Sequence, residues 1–176
     1  MNDDPAAAAR RTQRLGAYAV VVRPDASGVA HLLITRISPV GFPPGSWALP
    51  GGGVDHGESP AAAVRRELHE ETGLEAASVR LVDVHDVHTV APGRGDRWED
   101  YHGVHLVYAV ELAGVGAGLP RPTVLDVGGS TDLATWLPVH DLVRDASRPL
   151  LPLVTHVLAR LADYAPGTGG SANSTA

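Results

Sequence analysis

Glu67, Glu70 and Glu71 fall in one short run, Arg66-Glu-Leu-His-Glu-Glu-Thr72. On a helix the spacing i, i+3, i+4 brings the three carboxylates to one face. Like charges that close cost an isolated helix a few tenths of a kcal/mol per pair, roughly, so something must compensate. A divalent cation is the natural candidate, since Mg²⁺ takes oxygen ligands and is bound through one or two carboxylates together with substrate phosphates. A solvated acidic face is the alternative reading, glutamate being a good helix former. The preceding Gly51-Gly52-Gly53 favours the cation, because consecutive glycines allow close approaches that a Cβ would block.

The elements that must position these groups can be read locally. Ser59 is a good N-cap, Pro60 suits the first helical position and Gly73 suits the C-terminal cap. A helix is therefore predicted from about Pro60 to Thr72. Ala61, Val64, Leu68 and Thr72 gather about 110° from the glutamates, so one face is expected to pack and the other to hold charge.

Gly52, Glu58, Arg66, Glu67, Leu68, Glu70, Glu71, Gly73 and Leu74 together fill every fixed position of a longer pattern, which resembles the Nudix box of the Nudix hydrolases. The resemblance implies an α/β/α sandwich, a mixed β-sheet flanked by helices, over about residues 15 to 160. It implies hydrolysis of a pyrophosphate bond in a nucleoside diphosphate linked to another moiety X. Mg²⁺ is the expected cofactor, with Mn²⁺ as the alternative, held by Glu67, Glu70, Glu71 and the Gly51 carbonyl. Glu58 and Arg66 would form a supporting ion pair fixing the glycine loop against the helix, a role suited to a guanidinium fork. Glu67, Glu70 and Glu71 are the catalytic candidates, and the general base is either a box glutamate or an acid on a later loop. A non-catalytic nucleotide-sensing domain is the alternative; such domains commonly lack box glutamates, and here all are present.

Composition fits one small enzyme. The chain has 176 residues, 44% hydrophobic, enough for a single core. It has no cysteine, which excludes disulfides, thiolate metal sites and cysteine nucleophiles. No apolar stretch approaches a membrane span, and the acidic start carries no signal-peptide pattern, so the cytoplasm is the expected compartment. A net charge of −6 argues against broad nucleic-acid binding, and an acidic protein that handles phosphates needs a cation between them. The expected partner is a small nucleotide; the sequence leaves homodimerisation open.

Residues 1 to 13 and 165 to 176 read as mobile ends around a domain of 14 to 164. Leu15 to Val22 and Ala30 to Arg36 suggest a strand pair joined by the turn Asp25-Ala26-Ser27-Gly28. Trp47 to Leu49, Ser78 to Val90, Tyr101 to Leu112 and Leu133 to Leu137 read as further strands; His140 to Val143 and Leu150 to Tyr164 read as helices.

Other candidates lie outside the acidic run. In the Pro92 to Asp100 loop, Arg94 and Arg97 could hold phosphates, and Glu99 or Asp100 could hold a metal or take a proton; a merely solvated loop is the alternative. Asp126, Asp132 or Glu99 would serve if a base on a later loop is needed. Arg36 resembles a position that contacts substrate in relatives, or is an exposed strand end. Trp136 and Pro138 are read as packing and turning. His85 and His88, like His102 and His105, stand three apart, which on a strand sends two rings to opposite faces, so neither pair can chelate alone. Substrate markers are divided between ADP-ribose or another nucleoside diphosphate sugar and nucleoside triphosphates. Pro92 lies near a position that marks ADP-ribose hydrolases, and Tyr101 comes too late for the dinucleoside polyphosphate marker. Leu33-Ile-Thr-Arg-Ile-Ser38 matches only part of a coenzyme A diphosphatase signature.

Overall fold

The computed structural model describes residues 9–92 and 98–165. Its strands are β1 (Arg10–Val20), β2 (Val22–Pro24), β3 (Ala30–Ile37), β4 (Trp47–Ala48), β5 (Gly51–Gly53), β6 (Ala76–Pro92), β7 (Trp98–Leu112) and β8 (Thr131–Pro138). The helices are α1 (Pro60–Thr72), α2 (Val139–Arg144) and α3 (Pro152–Ala159), followed by a 3-10 turn at Leu161–Tyr164.

Two sheets of four strands form. The first has the order β5-β1-β7-β6, with β1 parallel to β7 and the other neighbours antiparallel. In the second, β3 pairs with β2 and β4, and with β8. The expected hairpin exists, but its first arm is β2, not the stretch from Leu15. After Val20 the chain passes between sheets, and the Val21 carbonyl accepts a 3.0 Å bond from the Leu33 amide. β1 also starts at Arg10, inside the segment read as a mobile end, because Arg10 to Gln13 continue the ladder opposite Glu99 to His102.

Strand alternation sends side chains to two helical layers. Ala17 and Ala19 of β1, Leu33 of β3 and Tyr108 and Val110 of β7 pack with Ala63, Val64 and Leu68 of α1. Val20, Leu32, Ile34 and Val107 face the other way, onto Leu142 of α2 and Leu153, Val154 and Val157 of α3. The strands thus lie between helices, as an α/β/α sandwich. Burying one leucine such as Leu68, fully inaccessible here, contributes about 1.5–3 kcal/mol.

The final helix is shorter than the apolar spacing implies. Pro152 holds Leu151 extended (φ −65°, ψ 150°), so helix begins only after it. Asp83 of β6 then ties α3 down, accepting from His156 Nε2 at 2.7 Å and Arg160 Nη1 at 2.6 Å.

α1 has the predicted limits. Ser59 accepts a 3.2 Å bond from the Ala62 amide, and Gly73 takes the left-handed cap (φ 67°). Ser59→Ala is expected to cost about 1 kcal/mol, read as a lower urea midpoint at unchanged slope; an unchanged midpoint would show that the cap contributes nothing.

Candidate active site

α1 lays its acidic face against the glycine strand β5. Arg66 is the hub. Its Nε and Nη2 form a bidentate pair with Glu58 at 3.0 and 2.9 Å, and Nη2 also donates to the Gly53 carbonyl at 3.1 Å. Nη1 reaches Glu67 at 2.9 Å and Glu70 at 3.1 Å. The fork holds the Glu58 carboxyl down to about 2, and Glu58 in return raises the Arg66 guanidinium. Glycine loop, loop acid and helix are thereby locked by one side chain.

Glu71 sits differently from the helical-wheel expectation. It lies about 20° around the helix from Val64 and is only 7% exposed, so it belongs to the packing face as much as to the charged one. Its Oε2 accepts from the Gly51 amide at 2.9 Å, and its Oε1 accepts from the Thr131 hydroxyl. Burial pushes its carboxyl up to about 7 against those two bonds. Burial also raises Glu67, against the opposing pull of Arg66. Glu70 is the most open of the three, its side chain 43% exposed. The stretch Ser130-Thr131-Asp132 resembles one that follows the box in relatives, but the bond from Thr131 to Glu71 was not foreseen, because nothing local links residues 60 positions apart.

The donor set suits a hard cation. Three carboxylates and a glycine-rich backbone are oxygen donors, and Gly52 leaves space that a Cβ would take, 2.5 Å from Glu67 Oε1. As arranged, no three acidic or histidine groups among the described residues converge on one point. The Arg66 guanidinium stands between Glu67 and Glu70 as the local positive charge, and Glu71 is turned to Gly51 and Thr131.

The later candidates separate. Arg36 and Asp132 occupy each other, with Nε to Oδ1 at 2.8 Å and Nη2 to Oδ2 at 3.1 Å. Glu99 pairs with Arg10, seven residues along β1 from the Ala17 that faces Gly52, which is roughly 20 Å from the glutamates at strand rise. Asp100 accepts from His88 at 2.6 Å and lies 3.4 Å from Arg11. Asp126 is brought close: its amide donates to the Glu70 carbonyl at 3.1 Å, and both residues line a pocket of about 340 Å³ with His69 and Leu125. Arg94 and Arg97 lie outside the described residues. Trp136 packs on the α1 core and donates its indole N–H to the Pro120 carbonyl at 2.7 Å.

The histidines pair across strands rather than along them. His85 faces His105 and His88 faces His102 in the β6–β7 register. His105 meets His85 at 5.7 Å and the Tyr18 ring edge-on at 4.9 Å. Burial, then the neighbouring His85 and Arg14 charges, hold the His105 imidazole down to about 4. Unfolded, it titrates near 6.5, so between those values the unfolded chain binds more protons. This contribution to stability is whole above about pH 6.5 and lost as pH falls toward 4. On the order of 1 kcal/mol, after solvent screening, is expected to disappear between pH 7 and 5 in the wild type and not in His105→Gln. Urea unfolding at both pH values reads this, and parallel pH dependence in the two proteins would contradict it.

The NUDIX domain model matches residues 12–156. An RNA pyrophosphohydrolase of Photobacterium profundum is 43% identical over 117 residues, 60% of this chain and 67% of the relative. A MutT NUDIX hydrolase from Burkholderia pseudomallei superposes with TM-score 0.62 at 25% identity, covering 85% of this chain and 98% of that one. The NUDIX domain of Shewanella oneidensis NrtR, solved with ADP ribose, shares the fold at TM-score 0.57 and 22% identity, over 92% and 94% of the two chains. With the complete run from Gly52 to Leu74 folded as a glycine strand, loop and capped helix, the chain belongs to the Nudix family and is a pyrophosphohydrolase of that class.

Proposed function

We propose that this protein hydrolyses a pyrophosphate bond in a nucleoside diphosphate linked to a further group, using Mg²⁺, or Mn²⁺ in its place. ADP-ribose or another nucleoside diphosphate sugar, and a nucleoside triphosphate, are the substrates proposed. The observation that carries the reading is that one face of α1 brings Glu67 and Glu70 to Arg66 and Glu71 to the Gly51 amide of the adjoining glycine strand. The cation would be held by these carboxylates and the Gly51 carbonyl; when bound it supplies charge neutralisation at the phosphates and a more acidic water.

The chain's own groups do the rest. Glu58 fixes Arg66, Arg66 fixes the Gly53 carbonyl, and the Gly51 amide with Thr131 fixes Glu71, so the glycine strand and the Glu71 carboxylate are oriented before substrate arrives. Glu70 and Asp126 line one pocket beside the site, which supports them as the acceptors of the attacking water's proton in this reading.

One comparison favours a second reading. The 43% identical relative is named an RNA pyrophosphohydrolase, which makes a 5′-terminal triphosphate on RNA a further substrate to test. With a net charge of −6, recognition of the triphosphate end rather than of the RNA backbone is what this protein would offer. A panel of ADP-ribose, nucleoside triphosphates and a 5′-triphosphorylated oligonucleotide, with Mg²⁺ and with Mn²⁺ and products resolved by chromatography, tests both readings. Tight nucleotide binding without turnover of any member would favour the sensing alternative.

A further inference from the structure

Gly52 and Gly53 are neighbours on the edge strand β5 and face opposite ways. A Cβ on Gly52 would meet the Glu67 carboxylate, and one on Gly53 would meet Arg14, 2.7 Å from Nη2 and 3.0 Å from Nε. The Arg14 guanidinium therefore rests on the glycine strand directly behind the acidic site. It is exposed and makes no hydrogen bond or ion pair with any described residue, although its charge is felt at Glu67, Tyr18 and His105.

The surface beside Arg14 is built from glycine and rings. Gly103, its register partner on β7, carries no side chain, and His105 Nε2 and the Tyr101 hydroxyl lean over it, 2.8 and 2.9 Å from where its Cβ would stand. Gly16 is covered in the same way by the Tyr18 ring. A free guanidinium beside three aromatic rings with polar tips is the chemistry that recognises an anionic group joined to a flat heterocycle. β5 is the edge of its sheet, and its glycines bring the Glu67 carboxylate and the Arg14 guanidinium close to opposite faces of one strand.

We propose that Arg14, with Tyr18, Tyr101 and His105 over Gly16, Gly53 and Gly103, seats the nucleoside end of the substrate, the guanidinium taking the phosphate that stays with the nucleoside. This rests on the pyrophosphohydrolase reading above and names the side of the site that selects substrate. Arg14 is here a binding residue, not one that acts on the scissile bond.

Steady-state kinetics of wild type, Arg14→Ala, Arg14→Lys and Tyr101→Phe with GTP, ADP-ribose and a 5′-triphosphorylated oligonucleotide test it. In Arg14→Ala, KM for the preferred substrate is expected to rise roughly tenfold or more, with kcat within about threefold and the melting temperature nearly unchanged, since no hydrogen bond or ion pair with a described residue is lost. Arg14→Lys should recover part of the KM loss because the charge returns without the fork, and Tyr101→Phe should raise KM by a smaller factor. A KM within twofold of wild type in Arg14→Ala for every substrate turned over would overturn the proposal, as would a loss confined to kcat. Should the wild type turn over no substrate, the pyrophosphohydrolase reading fails; calorimetric dissociation constants for GTP and ADP-ribose then decide on Arg14 separately, equal values in wild type and Arg14→Ala overturning its role.

Discussion

Glu70→Gln and Glu71→Gln should each lower kcat by roughly 10²- to 10³-fold with the fold retained, a loss of about 3–4 kcal/mol of transition-state stabilisation. The two substitutions remove one carboxylate charge each, yet they perturb the fold differently. The Glu70 side chain is 43% exposed and, among the described residues, pairs with Arg66 at i,i−4, an arrangement worth about 0.3–0.5 kcal/mol, so the variant's melting temperature should hardly move. Glu71 is buried between the Gly51 amide and Thr131. A glutamine there keeps one oxygen for the Gly51 N–H, and the Thr131 hydroxyl can reverse to accept from the new amide. A cost of about 1 kcal/mol is expected, small beside the kinetic effect. Kinetics with Mg²⁺ held in excess, paired with thermal unfolding, check this. Near-wild-type kcat in both variants would remove the glutamates from the chemistry.

Gly51→Ala should be the costliest single-atom change to the fold near the site. Gly51 has φ 147°, which a side chain rarely adopts, and its Cβ would strike the Ala17 carbonyl and lie 2.7 Å from Tyr18 Cα. Those obstacles are backbone and cannot swing away. Strain and overpacking together should cost about 3 kcal/mol, or about 10 °C in melting temperature for a chain of this size. Gly52→Ala is the instructive contrast, because its Cβ meets only the end of the Glu67 side chain. Stability should fall by under about 1 kcal/mol while activity drops at least tenfold, roughly, as Glu67 is pushed from its place. Equal melting temperatures for Gly51→Ala and the wild type would show that the glycine strand is not held against β1 as described.

What could be read from the sequence was what local chemistry dictates. Ser59, Pro60 and Gly73 mark the ends of α1 because capping is a property of adjacent residues, and the acidic run with its glycines indicates where a cation belongs. What escaped depends on contacts between distant segments. The wheel placed Glu71 with the charged face, but only packing against β5 and β8 shows it buried beneath Thr131. Arg36 and Asp132 were read as separate candidates and are one ion pair, because β3 and β8 lie side by side. The histidines were judged along each strand, where spacing divides them, while the β6–β7 register joins them across strands. Arg14 carries no sequence mark; its place behind Gly53 follows from the pairing of β1 with β5.

The most direct test is chromatographic analysis of the products of ADP-ribose, of GTP and of a 5′-triphosphorylated oligonucleotide, with Mg²⁺ and then with EDTA, in wild type and Glu70→Gln. Release of a monophosphate from at least one substrate is expected, as AMP with ribose 5-phosphate or as a nucleoside monophosphate with pyrophosphate, with loss of turnover in EDTA and in Glu70→Gln. Turnover that persists in EDTA, or that survives in Glu70→Gln, would contradict a cation-dependent reaction at these glutamates.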